Sequence, residues 1–307
     1  MTKSPNLIAP IGTKVVTRAE VKGHDNKMLQ PKGALGMIVE VPADAAHAYR
    51  VQFPDGAVVG LTRREFTIRT QFQLEVLGEL LAEYDLYDYI IYRCIVGSQA
   101  YGLSHEASDI DYRGIYLPPA EAQWSLAGVP EQLENPEGQE AYWELQKFLM
   151  LALKANPNIL ECLYTPLVEL ATPIARELLG MREIFLSKLI YQTYNGYVLG
   201  QFKKLEQYLR ARGTIKWKHA MHLIRLLLSG VTALREGYIV VEQDEHRDAL
   251  LAIRRGEVPW EEVNAWRLDL HKEFDAAYAT TRLPERPDFE RTNAFLIKAR
   301  RSMVEVE

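Results

Sequence analysis

The spacing of apolar positions changes along the chain, and each change predicts a different kind of element. Over the first seventy residues the apolar runs are short, and alternating or β-branched. They are Lys14-Val15-Val16-Thr17, Gly36 to Val41, Tyr49 to Phe53 and Ala57 to Leu61. Residues two apart share one face of a strand, so such runs predict strands. Pro54-Asp55-Gly56 predicts a hairpin turn, with Asp-Gly supplying positive φ. Several short strands in so small a span predict an SH3-like β-barrel over residues 1–70. From Gln71 to Glu83 the spacing becomes three and four, at Phe72, Val76, Leu77, Leu80 and Leu81, which predicts an amphipathic helix.

Three further strands follow. Tyr89 to Val96 is a continuous apolar run and reads as buried. Asp109 to Leu117 ends at Pro118-Pro119, and Gln139 to Trp143 precedes a helix from Glu144 to Lys154. Asn156 before Pro157 ends that helix, and Asn158 helps to start the next. Beyond residue 171 the chain reads as helical, at about 171–179, 182–210, 214–236, 244–255, 259–280 and 287–303. Gly180, Gly213, Gly237 and Gly256 stand where C-terminal caps belong. The pattern is α+β, with a β-rich start, a central mixed sheet over 71–170 and a helical domain over 171–307.

Composition changes the picture in one respect. The chain has 307 residues, 48% hydrophobic and 25% charged, and a net charge of −5. No global basic field advertises nucleic acid. Yet residues 1–70 hold ten Lys/Arg and six Asp/Glu, a balance of +4, and the remainder holds 26 and 35, a balance of −9. Lys22, Lys27, Lys32, Arg50, Arg63 and Arg64 therefore offer a contact for RNA or protein, against the plainer reading of a rigid support. Cys94 and Cys162 sit in apolar settings and read as core residues of a reducing compartment. Met1-Thr2-Lys3-Ser4-Pro5 does not resemble a signal peptide, and no apolar run reaches 18 residues. The expectation is a cytoplasmic protein.

The candidate chemistry lies between the first two central strands. Gly97-Ser98 breaks the run that ends at Val96, and Asp109-Ile110-Asp111 opens the next. Two carboxylates two residues apart on a strand face one point, and they repel unless a cation lies between them. Hard oxygen ligands suit Mg²⁺ or Mn²⁺, held together with substrate phosphates. A Gly-Ser turn allows close approach of backbone, a hydroxyl and free N–H groups to phosphate.

Gly97-Ser98-x-Ala100-Tyr101-Gly102, followed by Ser108-Asp109-x-Asp111-x-Arg113-Gly114, resembles the DNA polymerase β-like nucleotidyltransferase superfamily, in its branch of predicted RNA-repair enzymes. The resemblance implies a catalytic domain over 71–170 and a helical domain over 171–307 that closes the nucleotide site. It implies an NTP substrate, metal on Asp109 and Asp111, and an RNA or tRNA 3′ end as acceptor. Gly97, Ser98, Tyr101 and Arg113 would contact the nucleotide. A third carboxylate is expected on the neighbouring strand. Glu137, Glu140 and Glu144 all qualify, and Glu140 is chosen for its place within the strand. Lys218, His222 and Arg225 fall on one helical face and match a recurring pattern of the family, which implies triphosphate binding. Asn156-Pro157-Asn158 also resembles the family and reads as architecture. Glu161 nearby would need a partner if buried. The alternative functions are nucleotidylation of a protein partner, and a non-catalytic RNA-binding or regulatory protein on the same fold.

Overall fold

The alternating runs at the start of the chain form strands close to where their pattern places them. The computed structural model describes residues 9–23, 27–42, 47–69, 72, 84–104, 108–135 and 137–304. The helix expected over 71–83 lies, apart from Phe72, outside the described residues. The chain divides into two units, Met1–Tyr84 and Asp85–Glu307.

In the first unit the strands are β1 (Lys14–Thr17), β2 (Val21–Lys22), β3 (Met28–Gln30), β4 (Leu35–Glu40), β5 (Tyr49–Gln52), β6 (Val58–Leu61) and β7 (Phe66–Ile68). Five of them make an antiparallel sheet in the order β6-β5-β4-β1-β7, and β2 pairs β3 separately. The β5–β6 hairpin turns as Pro54-Asp55-Gly56 predicts, with Asp55 Oδ1 accepting from Ala57 N–H at 3.0 Å. The expected barrel is not closed: among the described residues the sheet has β6 and β7 as its edges. Val15, Ile38, Tyr49, Val51, Phe53, Leu61 and Phe66 bury one face as a small core of their own.

The second unit carries a mixed sheet. A 3₁₀ turn (Leu86–Tyr89) leads into β8 (Ile90–Val96), followed by α1 (Gly97–Ala100) and β9 (Asp111–Tyr116). Next come α2 (Ala120–Trp124), β10 (Gln132–Asn135) and β11 (Glu140–Glu144). α3 (Leu145–Ala152), α4 (Pro157–Tyr164) and β12 (Val168–Ala171) complete this half. The strand order is β10-β11-β9-β8-β12. β9 runs antiparallel to β8 and parallel to β11. Gly114 lies where β8 and β9 press together: a Cβ there would fall 1.9 Å from the Tyr92 carbonyl oxygen.

Six helices of the second half follow the predicted periodicity. They are α5 (Pro173–Gly180), α6 (Leu189–Arg212), α7 (Trp217–Glu236), α8 (Arg247–Arg255), α9 (Trp260–Thr280) and α10 (Phe289–Arg301). Gly213, Gly237 and Gly256 cap α6, α7 and α8 in the left-handed region. Sheet and helices share one core, from Cys94 and Ile115 through Phe148 and Leu160 to Leu223, Leu227 and Phe274. Both cysteines are buried within it as free thiols. One local expectation is corrected: Asn156 itself caps α4, its side chain accepting from Asn158 N–H at 3.0 Å and from Ile159 N–H. Pro157 at the first helical position makes this the natural start. Among the described residues no helix is long and apolar enough to cross a membrane.

Candidate active site

The turn at the end of β8 is built around a missing side chain. Gly97 has φ of 71°, and a Cβ on it would lie 2.8 Å from Asp111 Oδ2. Only glycine meets both demands, positive φ and the close approach of a carboxylate. Val96 pairs Asp111 in the β8–β9 ladder, so the glycine turn and the carboxylate are brought together by strand register. Ser98 follows in the short turn α1, whose carbonyl accepts from Leu103 N–H at 2.9 Å.

The two aspartates are placed differently from each other. Asp111 opens β9 and is half-buried. Asp109 precedes the strand and is exposed. The expected strand starting at Asp109 is shorter for a simple reason: β8 turns away at Gly97, so its ladder with β9 ends at the Val96–Asp111 pair. Arg113 Nη2 lies 3.6 Å from Asp111 Oδ1. Its Nη1 donates to the carbonyls of Tyr112 at 2.7 Å and Gln139 at 2.9 Å. Gln139 takes a positive φ of 51° there, a conformation that non-glycine residues seldom adopt.

The three candidate third acids are placed differently from one another. In the parallel β9–β11 ladder Glu140 pairs Tyr112, and Ala141 pairs Arg113. Cross-strand partners share a face, so Glu140 lies on the face opposite Asp111 and Arg113. There it neighbours Tyr142, whose hydroxyl burial pushes up to about 12, with Arg93 opposing and Glu140 adding. Glu144 is buried, caps α3 through Gln146 and Lys147 N–H, and pairs with Arg300 Nη2 at 3.1 Å. Glu137 is exposed in the turn before β11. Among the described residues no three His, Cys, Asp or Glu side chains gather as a metal site. The donors that remain are Asp109 and Asp111, hard oxygens open to solvent. That set suits Mg²⁺ or Mn²⁺ completed by substrate phosphates and water.

Tyr101 and Arg225 meet over Glu161. Glu161 is 3% exposed and Arg225 is 5% exposed. The carboxylate takes Tyr101 O–H on Oε2 at 2.7 Å and forms an ion pair with Arg225 Nη1 through Oε1. The guanidinium also lies 3.7 Å from the centre of the Tyr101 ring. Burial alone pulls the Arg225 pKa down, but Glu161 and Tyr101 more than offset it and hold it above its ordinary value. Burial drives the Tyr101 hydroxyl up. His222 sits edge-on to Tyr101 with centroids 6.3 Å apart. Burial first, then Arg225 and Lys218, bring its pKa down to about 3, so near neutral pH it is an uncharged imidazole. Of the three residues expected on one basic face, only Lys218 is exposed.

Sequence reasoning missed the straps on the same loop. Gln243 N–H donates to the Tyr101 carbonyl at 3.1 Å. Arg247 Nε reaches the Gly102 carbonyl and Arg254 Nη1 the Leu103 carbonyl, each at 2.8 Å. Neither arginine carries a local signal. Both meet backbone about 150 positions away.

Residues 70–298 match the family RlaP, described as the RNA repair pathway DNA polymerase beta family. Over 82 residues the chain is 37% identical to the uncharacterized protein YcgL of Bacillus subtilis (strain 168). That match covers 26% of this chain and 32% of the relative, so the chain spans about a third of the curated relative's length.

Proposed function

We propose a reaction from the family to which the chain belongs, the RNA repair pathway DNA polymerase beta family. It is a nucleotidyltransferase that moves a nucleoside monophosphate from an NTP to an acceptor hydroxyl, and the acceptor is an RNA 3′ end. A bond forms between the acceptor oxygen and the α-phosphorus as the bond to pyrophosphate breaks. One observation supports the reading of carboxylate and Gly-Ser turn as one site: Asp111 is held against the glycine that precedes Ser98.

Asp109 and Asp111 would hold Mg²⁺ or Mn²⁺, which supplies charge neutralisation to the triphosphate when bound. The chain's own residues then divide the work. Gly97 leaves the space, and the Ser98 hydroxyl donates to a phosphate oxygen. Arg113 steadies the Asp111 carboxylate from the β9 side. Lys218, exposed at the start of α7, offers a cation to the outer phosphates. Glu161 and Arg225 act through Tyr101 and fix the loop that follows Ser98. No third carboxylate enters the proposal.

The test is to incubate the protein with each α-labelled NTP, Mg²⁺ and either total RNA or total protein. Label in RNA, removed by trimming its 3′ end, is the expected result. Label confined to protein would move the reading to nucleotidylation of a partner. No label in either fraction would contradict the transferase.

A further inference from the structure

The end of α6 and the start of α7 carry a charge unlike the rest of the second unit. From 203 to 218 stand Lys203, Lys204, Arg210, Arg212, Lys216 and Lys218 against one acid, Glu206. That balance of +5 sits in a chain of net −5. All six cations are exposed. Among the described residues only Arg210 of the six has a carboxylate within ion-pairing distance, Glu206 at 3.9 Å.

The cations converge in space as well as in sequence. Lys216, Lys204 and Lys218, from two helices, all act on His219 and, behind burial, lower its pKa. Arg212 and Lys216 both lie over the Tyr208 ring, at 5.4 and 4.5 Å from its centre. The ring thus holds two cations of the connection in place. Stability does not account for the arrangement. Like charges repel, and cations in the first turn of a helix oppose its dipole. α7 has no acid in its first turn, and Lys216 at its N-cap makes no side-chain cap bond.

We propose that this cationic knuckle docks the sugar–phosphate backbone of an RNA acceptor and delivers its end toward the Gly97-Ser98 turn. The inference rests on the transferase reading above, and names the surface that brings the acceptor. Unpaired, solvent-exposed Lys and Arg suit a run of phosphates, and neutralising phosphates gains affinity by releasing counterions. α7 links the two places. Lys218 to Arg225 is two turns, about 10 Å at 1.5 Å per residue, and Arg225 lies on the ring of Tyr101, three residues beyond Ser98. A net-negative chain would otherwise repel the acceptor.

The test uses the full chain with Lys203→Gln, Lys204→Gln, Arg212→Gln and Lys216→Gln together, leaving Lys218 in place. All four are exposed, and an unchanged melting temperature verifies the fold. Binding of a fluorescein-labelled tRNA transcript is read by anisotropy across a salt series. The expected result is an affinity about tenfold or more weaker, with a shallower slope of log K against log salt. Four lost contacts at about 0.7 each reduce the slope by about 3. Binding of NTP with Mg²⁺ should stay as in the wild type. Unchanged RNA affinity and slope in the folded variant would overturn the docking surface, even with nucleotide transfer intact. Tighter binding of a polyglutamate probe than of the tRNA would overturn it in favour of an acidic protein. Loss of nucleotide transfer to every acceptor in the wild-type protein would instead defeat the transferase reading.

Discussion

Glu161 shows how much one buried carboxylate organises. It was legible only as a condition: an acid on the apolar side of a helix needs a partner. The partners, Arg225 and Tyr101, lie 64 and 60 residues away and carry no local mark of the pairing. Removing one member of a buried ion pair strands the other, which costs about 3–5 kcal/mol, whereas replacing both with apolar side chains is far milder. Glu161→Ala should therefore destabilise the protein by about 3–5 kcal/mol in urea unfolding. The double variant Glu161→Leu with Arg225→Met should lose clearly less than the sum of the two single changes. Additive losses would show that the pair is not coupled. His222, beside them, makes the pH argument. Its folded pKa of about 3 lies below the ordinary value of 6.5, so unfolding takes up a proton between the two. A depressed folded pKa means stability that is present above pH 6.5 and lost as pH falls toward 3, at no more than about 1.4 kcal/mol per unit. His222→Gln should flatten the stability curve over that window. A curve identical to the wild type would contradict a buried neutral His222.

At the scale of elements, the strands and helices of the core were legible because their periods are strong. β8, β11 and α7 to α10 lie within a few residues of their expected bounds, whereas α6 starts at Leu189, seven residues late, because a separate 3₁₀ turn takes Arg182–Phe185. What periodicity does not carry is partnership. β12 and β10 are short edge strands with little pattern, and the face of Glu140 depends on its register with Tyr112 in a parallel neighbour. Its place within the expected strand suggested Glu140, whereas register pairs it with Tyr112 and so sets it on the face away from Asp111. The same ladder logic brings Gly97 to Asp111. Gly97→Ala would put a methyl group 2.8 Å from Asp111 Oδ2 at a φ of 71°. The β8 turn or the aspartate must then move. Overpacking and backbone strain of this kind cost about 1–3 kcal/mol each. Nucleotide transfer should fall about a hundredfold or more, since small misplacements at a reacting centre cost that much. Full activity in the alanine variant would show that the Asp111 approach to Gly97 is not needed.

Across the whole molecule, two units with separate cores share the chain, and the proposed site lies within the second. The positive balance of the first seventy residues was visible in composition. The denser cationic knuckle of α6 and α7 was hidden, because the acids that dominate the remainder mask it in any sum. The central proposal is narrower than either surface: Asp111, held against Gly97, carries nucleotide transfer together with Asp109. It is tested by comparing the wild type with Asp109→Ala plus Asp111→Ala, using an α-labelled NTP, Mg²⁺ and RNA, with the melting temperature of each recorded. Asp109 is exposed and Asp111 half-buried, so the double variant should stay folded, and it should transfer no label above background. Transfer at the wild-type rate by the folded double variant would contradict the assignment of the site.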